Sequence, residues 1–341
     1  MNVEYLPKRI PNTFGVDAHA QELIAITTSA QLRSLIGYTT ASRLILGAGS
    51  NILLTSDFEG TVFVNQLKGI SVKTSQDDTA LVTCGAGENW SEFVDTMVDQ
   101  GWFGLENLSL IPGSVGASPI QNIGAYGVEI RDTFVSATAI NLEDGEERVF
   151  DKNQCGFDYR TSVFKESNMR NWLITKVTFK LSKNLRPQLA YGDLERQALS
   201  IAQNFQRHEI TNRDVAAAVK VIRRSKLPDP AVLGNAGSFF KNPLVSAQTA
   251  QHLKTRFHKL PTYLANENSQ NLVKVSAAWL IDQCGWKGYR RGDAGVHNEH
   301  ALVLVNYGTA SGKEIWQLAV DIIASVQAMF EIELEPEPLV L

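Results

Sequence analysis

Apolar and polar residues fall into short blocks along this chain, and the blocks change period. RLIL (43–46) is a brief apolar run ending in G-A-G-S-N, the pattern of a strand entering a glycine turn. GTVFVNQL (60–67) and ALVTCGA (80–86) are further β-branched runs. Asn89-x-x-Glu92 has the form of a capping box, and Trp90, Phe93, Val94, Met97 and Val98 recur at helical spacing until Gly101. SATAINLEDGEERVFD (136–151) reads as a hairpin turning at Asp144-Gly145, and LITKVTFKL (173–181) alternates as a strand. Residues 183–211 are polar and weakly patterned, which marks a boundary. Thr211-x-x-Asp214 then opens a helix with Val215, Ala218, Val219 and Ile222 on one face, broken by LPDPAVLGN (227–235). A helix near 276–284, a strand HALVLVN (300–306), a helix capped by Ser311-x-x-Glu314 and a strand-like EIELEPEPLVL follow. Helices and hairpins mix without regular βαβ alternation, so the pattern predicts an α+β fold rather than a doubly wound sheet.

One stretch fits none of these periods. Leu108 to Val128 reads LSLIPGSVGASPIQNIGAYGV, with no charge between Glu106 and Glu129 and with four glycines. It is too small to fill a core and too uncharged for a solvated loop. Glycine admits left-handed backbone and lets the chain approach a ligand closely. Successive bare N–H groups make a nest that suits phosphate oxygens. The missing charge fits as well, because a buried unpaired charge is costly. G-A-G-S-N shares this logic, although two tight turns packed together would also explain it. It is a poor dinucleotide fingerprint, since Ile52 stands where the third glycine of G-x-G-x-x-G belongs.

Composition narrows the classes. The 341 residues are 44% hydrophobic and 20% charged, enough for two or three domains. A net charge of −4 argues against a general nucleic-acid binder. Basic residues gather in KVIRRSK (220–226) and WKGYRR (286–291), either as solvated surface or as a wall facing a small anion. Cys84, Cys155 and Cys284 are odd in number and far apart, which fits a reducing compartment. MNVEYLPKRI lacks the apolar core of a signal peptide, and no run approaches the ~20 residues that span a bilayer. The expectation is a cytoplasmic protein with no membrane, nucleic-acid or obligate protein partner. His297 and His300, with Glu299 and Asp293 nearby, raise a metal site, but residues entering a strand do not share a helix face, so none is expected.

G-A-G-S-N at 47–51, I-P-G-S-V-G-A-S-P-I-Q-N-I-G-A-Y-G at 111–127 and Y-R-T-S-V-F at 159–164 resemble the flavin domain of the UDP-N-acetylenolpyruvoylglucosamine reductase (MurB) family. G-N-A-G-S-F-F-K-N-P (234–243), A-W-L-I-D-Q-C-G-W-K-G (278–288), H-A-L-V-L-V-N (300–306) and L-E-P-E (334–337) are similar to its C-terminal half. The resemblance implies an FAD-binding fold of the vanillyl-alcohol-oxidase type over 1–210, with a lid loop near 184–210. A smaller α+β substrate-binding domain over 211–341 would send its tail back to the active site. FAD would be held noncovalently, since neither glycine-rich segment contains a histidine. Its contacts would be Gly47, Gly49, Ser50, Asn51, Ile111, Pro112, Gly113, Ser114, Gly116, Ala117, Gln121, Asn122, Gly124 and Tyr126.

The implied chemistry is NADPH-dependent reduction of the enolpyruvyl ether of UDP-N-acetylglucosamine to UDP-N-acetylmuramate, a peptidoglycan precursor. The double bond is conjugated to a carboxylate that resists further charge, so the reaction needs a cation, a hydrogen-bonding acid and a proton donor. By resemblance these are Arg160, Glu335 and Ser238. Arginine suits the first task because its fork grips a carboxylate at two points; the sequence alone favours a structural arginine paired with an acid such as Asp158, and the resemblance reverses that. Ser238 and Glu335 read alone as a turn hydroxyl and part of an acidic tail. Lys241 follows Ser238 closely enough to face the same pocket. Tyr191 matches the tyrosine of a substrate-capping loop found in one subtype of the family. Lys226 and Asn242 match substrate contacts, and Tyr263, Lys274 and Lys287 are candidates for the UDP moiety. His300 stands where related sequences can carry glutamine.

Overall fold

The strand Trp172–Ser182, 11 residues long, is the spine of the first of two compact units. The structure, a computed structural model, describes residues 8–38, 40, 42–264 and 271–341. MNVEYLP, within the segment read above for a leader, lies outside them. The first unit comprises residues 8, 20–49 and 59–225 of the described chain, and the second 9–19, 50–58 and 226–341. The chain passes from one to the other inside G-A-G-S-N, between Gly49 and Ser50.

In the first unit the spine pairs antiparallel with Phe134–Asn141 on one side and Thr79–Gly85 on the other. Glu147–Asp151 and Ile70–Thr74 flank them in a five-stranded sheet. The 136–151 hairpin turns as expected: Gly145 has a φ of 79°, and Asp144 accepts the Glu146 amide at 2.8 Å. Helix Trp90–Asp99 lays Trp90 and Phe93 against Phe179 of the spine, with ring centroids 6.0 and 5.5 Å apart. Asn89 caps it by accepting from the Glu92 amide. The Trp90 indole donates to the Leu108 carbonyl at 2.9 Å, so the core anchors the start of the uncharged stretch. A second sheet carries His19–Ile26, Phe58–Asn65 and Arg43–Leu46, the last two parallel.

The polar stretch 183–211 contains a helix that its pattern hardly announces, Leu194–Asn204. Its apolar stripe is narrow: Leu194, Ala198 and Ala202 meet Val215, Ala218, Val219 and Ile222 of helix Asn212–Lys226. Asp214 caps the second helix. It accepts from Thr211 and takes a two-pronged bond from Arg207 at 2.6 and 2.7 Å.

The second unit holds a four-stranded sheet ordered Gly234–Asn235, Leu304–Asn306, Ala294–Val296, Arg290–Arg291. Helix Gly312–Phe330 buries Ile315, Leu318, Ala319, Ile322, Val326 and Phe330, and Ser311 and Glu314 form the expected capping box. A three-stranded sheet pairs Leu244–Ser246 and Thr262–Leu264 with Leu272–Val275. The strand expected at 300–306 is shorter than its apolar run, because only Leu304–Asn306 pairs. Residues 297–303 fold into a turn, with Val303 donating to His300 and His297 donating to Val303. The strand-like tail is likewise reduced to Leu339–Val340, parallel to Ile52–Leu53. Pro336 and Pro338 lack the N–H groups that a longer ladder needs.

Candidate active site

The first unit presents a surface with few side chains. A Cβ at Gly47 would lie 2.3 Å from the Ser114 hydroxyl, so the two glycine-rich segments touch only because that Cβ is missing. Segment 113–116 runs beside 86–90: Trp90 donates to Gly113, Val115 to Glu88 and Gly116 to Ala86. Residues 85–89 read G-A-G-E-N, a near copy of G-A-G-S-N. Cβ atoms at Gly85 and Gly87 would strike the backbone of residues 66–68, so these glycines serve packing. Left-handed backbone recurs at Leu110, Gly113, Asn122, Tyr126 and Gly127. For the non-glycine residues each costs of order 1 kcal/mol or more, a cost that clusters at ligand-holding sites. Uncharged, strained and poor in side chains, this surface fits an FAD lying against its backbone.

Not every predicted contact has a free side chain. Asn122 is 0% exposed, donates to Glu129 and the Asp158 carbonyl, and accepts the Arg131 amide. Only its backbone is left to meet a ligand. Ser162 of Y-R-T-S is also structural, donating to Ile120.

Arg160 sits at a tight turn with a φ of 54°. Its guanidinium donates to the Gly124 carbonyl at 2.7 Å and lies over the Tyr159 ring. A Cβ at Gly124 would crowd the guanidinium, at 3.1 Å, and the Glu129 side chain, at 2.8 Å. Tyr126, next in the segment, meets the Tyr191 ring edge-on with centroids 5.8 Å apart. Buried Asn107 donates to both the Tyr126 and Gln188 carbonyls, tying the 183–193 loop to this segment.

Arg223 belongs to the same group, and KVIRRSK alone does not separate it from its basic neighbours. The helix period does carry the signal: position 223 follows buried Val219 by one turn and buried Ala216 by two. Its Nε donates to the Leu110 carbonyl at 3.2 Å. Burial lowers its pKa, Tyr126 opposes that, and Arg160 adds to it; an arginine stays charged regardless.

In the second unit, the Ser238 and Glu335 segments run side by side. Phe239 accepts from Glu337 and Lys241 donates to Glu335, flanking an antiparallel bridge between Phe240 and Pro336. The Lys241 ammonium bonds the Glu335 carboxylate directly. Gly237, with a φ of 71°, turns the chain into half-buried Ser238. Asn242 accepts the Ala277 amide at the start of helix Ala277–Gln283. Tyr263 and Lys274 are cross-strand partners. Burial lowers the pKa of His300, and Lys226, His297 and Lys287 lower it further, so two predicted substrate contacts and His300 share one electropositive region. Among the described residues no group of His, Cys, Asp and Glu could hold a metal ion, and no helix is long and apolar enough to cross a membrane.

Residues 20–151 match the family model of an FAD binding domain. Residues 229–341 match that of the UDP-N-acetylenolpyruvoylglucosamine reductase C-terminal domain. A flavin-binding unit joined to such a domain defines a flavoprotein reductase. The chain is 48% identical over 334 residues to the UDP-N-acetylenolpyruvoylglucosamine reductase of Chromobacterium violaceum, covering 97% of this chain and 96% of the relative. It is 44% identical over 329 residues to that of Bacteroides fragilis, covering 96% of each. The chain therefore belongs to the UDP-N-acetylenolpyruvoylglucosamine reductase family. The crystal structure of MurB from Thermus caldophilus has the same fold, with a TM-score of 0.64 at 24% identity over 98% of both chains.

Proposed function

We propose that this chain reduces the enolpyruvyl ether of UDP-N-acetylglucosamine to UDP-N-acetylmuramate for peptidoglycan synthesis, with NADPH as electron source. Bound FAD would supply the hydride chemistry that links NADPH to the substrate double bond. The first unit holds FAD on the backbone of 47–49 and 111–127, and the second binds the nucleotide sugar.

Arg160 grips the substrate carboxylate and stabilises the charge that develops on it. Its bond to Gly124 aims the fork before substrate arrives. Ser238 gives its hydroxyl proton to the enolate-like carbon, a feasible transfer because the acceptor is strongly basic. Glu335 hydrogen-bonds the substrate carboxylate through a proton, and Lys241 offsets its charge between turnovers. Lys226 and Lys287 bind the diphosphate, with Asn242, Tyr263 and Lys274 on the rest of the nucleotide. Tyr191, edge-on to Tyr126, caps the sugar as the lid of the tyrosine-loop subtype. The cytoplasm, reducing and rich in nucleotide sugars, is the working compartment; Cys84, Cys155 and Cys284 are free thiols.

The observation that carries this reading is the pairing of 239–241 with 335–337, which supports joint action of Ser238 and Glu335 in a chain of this family. The test is the absorption spectrum of the purified protein. It should show bound flavin that bleaches with NADPH and recovers on adding the enolpyruvyl sugar, but not simple alcohols. Protein that takes up no FAD, or bleached flavin indifferent to the sugar, would overturn it.

A further inference from the structure

The basic residues of helix Asn212–Lys226 face the first unit in two ways. Arg213 donates to the Asp99 carbonyl, and Lys220 pairs with Asp95 at 2.7 Å. Both are answered by the helix they dock on. Arg223 is not. Its one hydrogen bond is from Nε to Leu110, and no carboxylate pairs with it among the described residues. Its electrostatic neighbours are Tyr126 and a second cation, Arg160.

A half-buried guanidinium with no carboxylate of its own and a second cation in its field lowers stability unless an anion completes the group. The helix is not free to swing Arg223 out. Asp214, held by Arg207 and Thr211, fixes its first turn, and Val215, Ala218, Val219 and Ile222 bury its face. With Nε committed to Leu110, the remaining N–H groups of the fork make no hydrogen bond among the described residues. That is the donor set of a planar, delocalised anion.

We propose that Arg223 is a second anion-binding guanidinium, acting with Arg160 on one planar, delocalised anion. The inference deepens the function proposed above and rests on it. Such an anion has two sources, the carboxylate of the enolpyruvyl sugar and the electron-rich O–C–N edge of bound FAD. Tyr126, on the segment that both arginines touch, is positioned to orient either.

The test uses FAD-loaded protein carrying Arg223→Met, which removes the charge, and Arg223→Lys, which keeps charge and stem but not the fork. Binding of the enolpyruvyl sugar and of UDP-N-acetylglucosamine, which has no carboxylate, is followed by perturbation of the flavin spectrum. Sulfite affinity and flavin midpoint potential report charge stabilisation at the flavin. If the anion is the substrate carboxylate, Arg223→Met weakens the enolpyruvyl sugar roughly tenfold or more, and UDP-N-acetylglucosamine binding holds. If it is the flavin edge, sulfite affinity and midpoint potential fall while the ratio of the two sugar affinities stays constant. Either result supports the proposal, and Arg223→Lys should lie between Arg223→Met and the wild type. Unchanged values throughout would overturn it. So would lower FAD content and melting temperature with no selective loss in either arm. If wild-type protein itself ignores the enolpyruvyl sugar, the proposed function fails, and the sulfite and potential arm still judges Arg223.

Discussion

Lys241 donates its backbone N–H to the carbonyl of Glu335 and its ammonium to the same residue's carboxylate. One pair of residues thus sets both the register of two distant segments and the charge balance of a candidate acid. Glu335→Gln should keep the register and lose the shared proton. We expect sugar-dependent reoxidation to slow roughly a hundredfold, with NADPH-driven bleaching unchanged in stopped-flow. Equal losses in both half-reactions would argue that Glu335 serves structure alone.

Ser238→Ala removes a hydroxyl at the turn made by Gly237 and leaves the backbone bonds of Phe239 and Lys241 in place. Reduction of the sugar should fall by about 10²-fold or more, while its affinity and the NADPH step hold. A solvent isotope effect on sugar reduction, present in wild type and altered in the variant, would tie the loss to proton delivery.

Asp214 offers a stability test. Burial alone would raise its pKa, but bonds from Arg207 and Thr211 outweigh this and hold it at about 2, below the ordinary 3.8. Its contribution is therefore full above pH 3.8 and lost as pH falls toward 2. Asp214→Ala should cost about 2 kcal/mol in urea unfolding at pH 7, and the gap from wild type should close in that acid window. A gap independent of pH would place the effect in packing.

His300 ties binding to pH. Burial first, then Lys226, His297 and Lys287, lower its pKa from the ordinary 6.5, so it is neutral at pH 7. A bound diphosphate would oppose Lys226 and Lys287 and raise that pKa. Sugar binding should then take up a proton, and affinity should gain as pH falls through 6.5 and below. His300→Gln should flatten this dependence in a calorimetric titration at several pH values, with little loss at pH 8.

The α+β class was legible because its signals are local: the 90–99 helix, the Asp144-Gly145 hairpin and the Ser311 cap each follow from a few neighbouring residues. The uncharged stretch was legible because its composition suits no ordinary element. Helix Leu194–Asn204 was hidden, because its stripe is narrow and the rest of its surface is polar. The start of the 300–306 run stays out of the strand for a different reason, since apolar residues can be buried without joining a ladder. Arg223 could be told from Arg224 only by following the buried period of its helix, which places one inward and the other in solvent.

The parallel pairing of Leu339–Val340 with Ile52–Leu53 makes the second unit a lasso rather than a tail-end module. Residues 52 and 53 leave the ribosome long before their partners exist, so that corner stays open until Leu339 and Val340 have emerged. An excised 226–341 fragment would lack the strand that Leu339 and Val340 pair with, and would expose an unclosed edge.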